Sequence, residues 1–239
     1  MLYRVEGLTP IQNIEWESMK IPINADQARW IEGAAKARTC GKDRATTKKL
    51  RTTENAPLAS EETGIAGECA FVTVLKNAPD YIKFDADFLA KYAEPDFKVY
   101  DRRDKWEFWD VKTQASSKPF SLWRAWQANN WMDKPESKRE SVLIFARVIS
   151  KKGKAPDGTW YSDSKRIEER IVAVQFLGCM PCTEMLDRAR FVREGEKLGS
   201  GWPASDDCYE IPTSELYTIQ SLLQRPGKGF YAFQDQARG

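Results

Sequence analysis

The sequence predicts an α/β (α+β) domain in which a mixed β-sheet is flanked by helices. Three observations carry that prediction. Two continuous apolar runs of strand length, SVLIFARVI (141–149) and RIVAVQFLG (170–178), read as central strands covered on both faces. Before them, FKVY and WEFWDVK flank the polar stretch DRRDK, which is the pattern of a β-hairpin. Segments with helical spacing lie ahead of the hairpin and after the second run.

Composition bounds the rest. The 239 residues are 41% hydrophobic and 30% charged, which excludes disorder as the dominant state. No apolar run approaches the roughly 20 residues of a membrane span, and the first twenty residues lack the apolar centre of a signal peptide. Five cysteines, an odd number thinly spread, suggest a reducing compartment. Histidine is absent, which removes Ser-His-Asp and Cys-His catalysis and HEXXH zinc sites. Any metal must be held by oxygen or sulfur.

In chain order, NADQARWIEGAAKAR (24–38) is rich in helix formers, with Asn24 or Asp26 as N-cap. Lys36 to Arg51 holds seven basic residues and one acidic residue, Asp43, and reads as a basic loop running to about Ser60. Ile65, Cys69, Val72 and Leu75 then mark one apolar face of a helix over 63–76, stopped by Pro79-Asp80. A short helix is expected at Asp85 to Lys91, and another at Phe120 to Trp131, before Pro135. Pro156-Asp157-Gly158 turns the chain between the two apolar strands. Thr183 to Val192 and Thr213 to Leu223 read as closing amphipathic helices. The expected organisation is one domain: an N-terminal helix and basic loop (1–60), a core with closing helices (61–224) and a tail (225–239).

Hairpin arithmetic concentrates chemistry in 94–114. If Arg103 centres the turn, paired residues sum to 206 and Asp96 lies opposite Asp110. Cross-strand partners share a face, and Asp110 and Lys112 share one because side chains alternate along a strand. Two carboxylates and a lysine would converge on one patch. Such carboxylates repel unless a hard cation lies between them, and Mg²⁺ takes one or two carboxylates plus waters and substrate phosphate. D-x-K alone is also the pattern of a surface ion pair worth ~0–1 kcal/mol.

Pro95-Asp96 followed by Asp110-Val111-Lys112 resembles the signature of the PD-(D/E)XK nuclease superfamily. Gly64-Ile65-Ala66-Gly67-Glu68 resembles the acidic first-helix motif of many members. The order of the three parts over residues 60–115 is similar to that superfamily's core. The resemblance implies a restriction-endonuclease-like fold and a Mg²⁺-dependent DNA nuclease, more an endonuclease than an exonuclease, with Mn²⁺ substituting. It implies Asp96 and Asp110 as metal ligands, Val111 between the motif residues at the metal, Lys112 as catalytic lysine and Glu68 as accessory acid at metal or water. Gly64 and Gly67 would let the Glu68 helix approach the sheet. DNA is the implied partner, with a homodimer expected for duplex cleavage and no membrane. The alternative function is a non-catalytic DNA-binding or scaffolding protein of the same fold.

Further residues are candidates by position. Gln114 continues the Asp110–Lys112 face toward substrate, and Lys48, Lys49 and Arg51 in the basic loop would hold phosphates. Lys118 and Arg124 stand near the end of the motif strand. Trp123, Trp126 and Trp131 invite base stacking, although core packing is the expected duty of most tryptophans. Cys179 and Cys182 have CxxC spacing, with Cys40 upstream and Cys208 downstream. They read as buried thiols, because the gap to Cys208 is too long for the iron–sulfur pattern of some superfamily members; a cluster or zinc site is the alternative.

Overall fold

A computed structural model of the chain describes residues 19–40, 56–78, 82–86, 96–100, 106–115, 119–161, 164 and 166–223. It is a mixed α/β architecture of two sheets with helices packed on them. The larger sheet has six strands: β1 (Lys20–Pro22), β2 (Lys83–Ala86), β3 (Phe97–Tyr100), β4 (Trp106–Gln114), β6 (Glu140–Ile149) and β7 (Ala173–Pro181). Their order is β1-β7-β6-β4-β3-β2. The β4–β6 pair is parallel and the other pairs are antiparallel. A second, antiparallel sheet joins β5 (Phe120–Arg124), β9 (Cys208–Pro212) and β8 (Arg190–Val192), in that order.

β6 shows why the apolar runs are central strands. Val142, Ile144 and Ala146 enter one core, while Leu143 and Phe145 enter another on the opposite face. The first core lies under helices α1 (Ala25–Cys40) and α2 (Ala56–Lys76). The second lies under α3 (Ala125–Asp133) and α5 (Cys182–Arg188). Period-two alternation with both faces covered makes the run apolar throughout. A helical turn, α4 (Ile167–Arg170), and a short helix, α6 (Ile219–Leu223), complete the set.

α1 starts where its caps dictate. The Gln27 N–H donates to Asn24 Oδ1 at 2.8 Å, and the Asn24 N–H donates to Gln27 Oε1 at 2.9 Å, a reciprocal capping box. α2 begins at Ala56, earlier than the apolar spacing indicates. Pro57 falls in its first turn, where proline's fixed φ suits a helix. The basic segment is correspondingly shorter: Lys36 and Arg38 lie on α1.

Other expectations are corrected. Asp85 and Ala86 belong to β2, paired with Lys98 and Phe97, and not to a helix. Phe120–Arg124 is a strand, so the helix starts only at Ala125. The helix expected over 183–192 ends at Arg188, and Arg190–Val192 is a strand. The stretch 213–223 is a 3₁₀ turn followed by α6. Of the two motif glycines, Gly67 makes the close approach. A Cβ there would overlap Thr113 Oγ1 and lie 3.2 Å from Val111 Cγ1. At Gly64 it would meet only Glu68 Oε1, at 4.0 Å.

Candidate metal centre and adjoining cleft

The register of the hairpin places the acids. β3 and β4 pair Phe97 with Trp109 and Lys98 with Phe108, the sum of 206 that sets Asp96 against Asp110. The ladder stops at Phe97. Beyond it the Val111 N–H donates to Asp96 Oδ2 at 2.8 Å, so this side chain extends the pairing where β3's backbone no longer does. Trp109 and Val111 are buried in the first core. Alternation therefore turns Asp110 and Lys112 to the opposite face, where they form an ion pair with side chains only 16% and 17% exposed.

Glu68 comes from α2. Both its oxygens are taken by Arg38, whose Nη1 and Nη2 donate at 2.9 and 2.8 Å, and Glu61 lies 3.9 Å from the same guanidinium. The pairing is bidentate, the strong form of an Arg–carboxylate contact. Arg38 was hidden in the sequence as one of several cations in a basic run; its place in the last turn of a helix was the missing signal.

Electrostatics splits the two aspartates. Burial, together with the neighbouring Glu68 and Asp110 charges, pushes Asp96 well above the usual carboxylate range. Burial opposes ionisation of Asp110 too, but the Lys112 charge and hydrogen bonds from Asp96 and Lys112 outweigh it and hold Asp110 low. Glu68 is raised by burial despite Arg38. Lys112 is raised, since Asp110 and Asp96 overcome its desolvation. The aspartate pair therefore holds one proton between two hydrogen-bonded carboxyls at pH values where free aspartates would both be charged.

This donor set suits a hard cation. Asp96 and Asp110 offer oxygen ligands at one point, and one or two carboxylates are what Mg²⁺ takes from a protein. The Val111 side chain is buried, so only its main chain could face that point. With Glu68 turned onto Arg38, no set of three His, Cys, Asp or Glu side chains among the described residues is close enough to enclose a metal. Cys179, Cys182 and Cys208 are buried in three separate apolar clusters, and the Cys40 side chain lies outside the described residues.

The remaining candidates fall as follows. Gln114 Nε2 donates to the Phe120 carbonyl at 2.8 Å and ties the end of β4 to β5. Trp123 and Trp131 are buried, as core residues should be, and Trp126 is 38% exposed. Arg124 lies 3.9 Å from Asp206. Lys48, Lys49, Arg51 and Lys118, the Pro79-Asp80 stop and the tail beyond 224 lie outside the described residues. Sequence reading missed the cleft beside Asp110 and Lys112. Trp126, Gln127 and Asn130 of α3 line it, above the buried ion pair of Lys134 with Glu140 at 2.6 Å. Compared with protein-family models, with curated proteins and with solved structures, the chain gives no match.

Proposed function

We propose that the protein is a metal-dependent DNA nuclease of the PD-(D/E)XK type, with a restriction-endonuclease-like core, cleaving phosphodiester bonds at Asp96, Asp110 and Lys112. One observation carries the reading. Hairpin register, strand alternation and the Asp96–Val111 hydrogen bond bring two carboxylates and a lysine together beside an open cleft. Burying two carboxyls and a lysine together is costly, and a fold that keeps them at a cleft has a use for them.

The residues divide the work. Asp96 and Asp110 would hold Mg²⁺, or Mn²⁺ in its place. The bound cation would supply Lewis-acid stabilisation of the phosphoryl oxygens and a more acidic water. Asp96 would hold the cation only as the carboxylate, so cation binding would be linked to proton release. Lys112 would donate a hydrogen bond to the attacking water or to the developing phosphorane charge. Glu68, anchored by Arg38, would be the accessory acid on the helix side. A bacterial or phage cytoplasm, DNA as partner and a homodimer for duplex cleavage belong to the same proposal.

A second reading has an observation in its favour. Arg38 occupies both oxygens of Glu68, and Lys112 occupies Asp110, so the acids are already neutralised by ion pairs. That arrangement also suits a DNA-binding or scaffolding protein without hydrolytic activity. Incubation with Mg²⁺ or Mn²⁺ and a panel of supercoiled, linear, branched and single-stranded DNAs separates the two. Cleavage abolished by EDTA and by Asp110→Ala is expected; no cleavage of any substrate would leave the second reading.

A further inference from the structure

We infer that Lys134 is a second phosphate-contacting lysine of the proposed centre, aimed into the cleft by Glu140 so that one anionic oxygen of a phosphate group lodges between Lys112 and Lys134. This rests on the phosphodiester reading of the acidic site and adds a further residue to it.

The backbone fixes both members of the pair. Lys134 follows the last turn of α3, where its N–H donates to the Trp131 carbonyl at 3.2 Å and its carbonyl accepts from Arg139 Nε at 2.8 Å. Glu140 opens β6, and its carbonyl accepts the Trp131 indole N–H at 2.7 Å. Held so, Lys134 Nζ donates to Glu140 Oε1 at 2.6 Å. The lysine side chain is 16% exposed and the glutamate 6%, so the lysine is the accessible member at the cleft.

Stability alone accounts poorly for this pair. Glu140 Oε2 is buried with no hydrogen-bond partner among the described residues, a cost that a purely structural contact would avoid. Buried ion pairs in general contribute little over apolar residues of similar volume. The surroundings point to charge instead. Lys134 is near enough for its charge to help hold Asp110 in its ionised form, and the Glu140 charge reaches Lys112.

These four groups line one small cavity with Gln127 and Asn130. Its enclosed space is about 20 Å³, room for a single water-sized atom. One oxygen of a phosphate has that size, and the rest of the group stays in the open part of the cleft. An ammonium carries three N–H donors. Lys112 and Lys134 each spend one on a carboxylate and keep others for an oxygen between them. Two lysines on one non-bridging oxygen would draw off the negative charge that builds there as the phosphorus becomes five-coordinate.

Removing Lys134 alone would strand a buried carboxylate, so the test exchanges the pair. Lys134→Met with Glu140→Leu keeps volume without charge, and its melting temperature should equal or exceed that of the wild type. Lys134→Gln with Glu140→Gln keeps a hydrogen bond without charge and serves if the apolar pair folds less well. Inorganic phosphate is titrated into each intact protein in EDTA and followed by phosphorus NMR. Wild type should bind one phosphate per chain, and the exchanged proteins should bind it about tenfold more weakly, the loss of one charge-assisted hydrogen bond. In Mg²⁺, kcat for DNA cleavage should fall by about 10²-fold while Mg²⁺ affinity is unchanged. Phosphate binding that ignores the exchange, no phosphate binding by the wild type, or cleavage at the wild-type rate by a folded exchange would each overturn the inference. Lys134-dependent phosphate binding without cleavage of any DNA would remove the nuclease reading and leave the anion site standing.

Discussion

Asp110 keeps its charge against its own burial because Lys112 and the Asp96 carboxyl both donate to it. Its replacement by alanine should abolish cation binding and cleavage together, whereas Lys112→Ala should retain Mg²⁺ and DNA binding and lose turnover by about 10²-fold or more. Calorimetric Mg²⁺ titration beside single-turnover cleavage checks both. pH dependence follows from the split of the aspartates. Asp96 and Glu68 are raised in the folded state, so their contribution to stability is full below the unfolded carboxylate value and is lost as pH rises through their folded values. Asp110 is lowered, so its contribution is lost as pH falls through its folded value. The melting temperature of the protein in EDTA should therefore decline as pH climbs above the ordinary carboxylate range. Asp96→Asn should flatten that decline. For the wild type, Mg²⁺ binding should weaken as pH falls through the same window and release protons, read from heats in buffers of different ionisation enthalpy.

Among the elements, the contact of α2 with β4 carries the site's geometry. Gly67→Ala would ordinarily favour a helix, yet here the added methyl meets Thr113 Oγ1 and stands 3.0 Å from Thr113 Cβ. Overpacking of this kind costs roughly 1–3 kcal/mol, so a lower melting temperature is expected. Thr113→Ala in the same chain should restore part of it, because the overlapping hydroxyl is gone. The same elements show what a sequence can reveal. The β3–β4 pairing was legible to the residue, since aromatic alternation and register are local properties. β6 and β7 were legible because burial on both faces writes an unbroken apolar run. β5 was misread as helix. FSLWRAWQANNW has no alternation of its own, and Phe120–Arg124 is a strand because it pairs with residues 208–212, far along the chain. β8 and β9 are short and half polar for the same reason. The role of Arg38 was invisible because it depends on Glu68, a partner that only the tertiary fold supplies.

For the whole molecule, charge is nearly balanced, with 37 basic and 35 acidic residues, so the DNA affinity that the proposed function requires would have to come from local clusters. If Lys48, Lys49 and Arg51 hold phosphates, neutralising all three should weaken binding to every sequence. Each lost contact should flatten the log–log salt dependence by about 0.9 on duplex DNA, measured as binding constants over a salt series. Cleavage of saturated DNA should change less than affinity. The two sheets also differ in how far apart their strands lie in sequence. β3 and β4 are neighbours in sequence, whereas β5 waits for β9 near the end of the described chain. Local pairings form early and distant ones late, and synthesis on the ribosome imposes the same sequence in time. The acids at Asp96 and Asp110 are thus brought face to face while the nascent chain still lacks the strand that anchors Trp126. A chain interrupted before Cys208 would carry the charged pair without the sheet that holds the opposite wall of the cleft, so the order of manufacture decides which side of the cleft exists first.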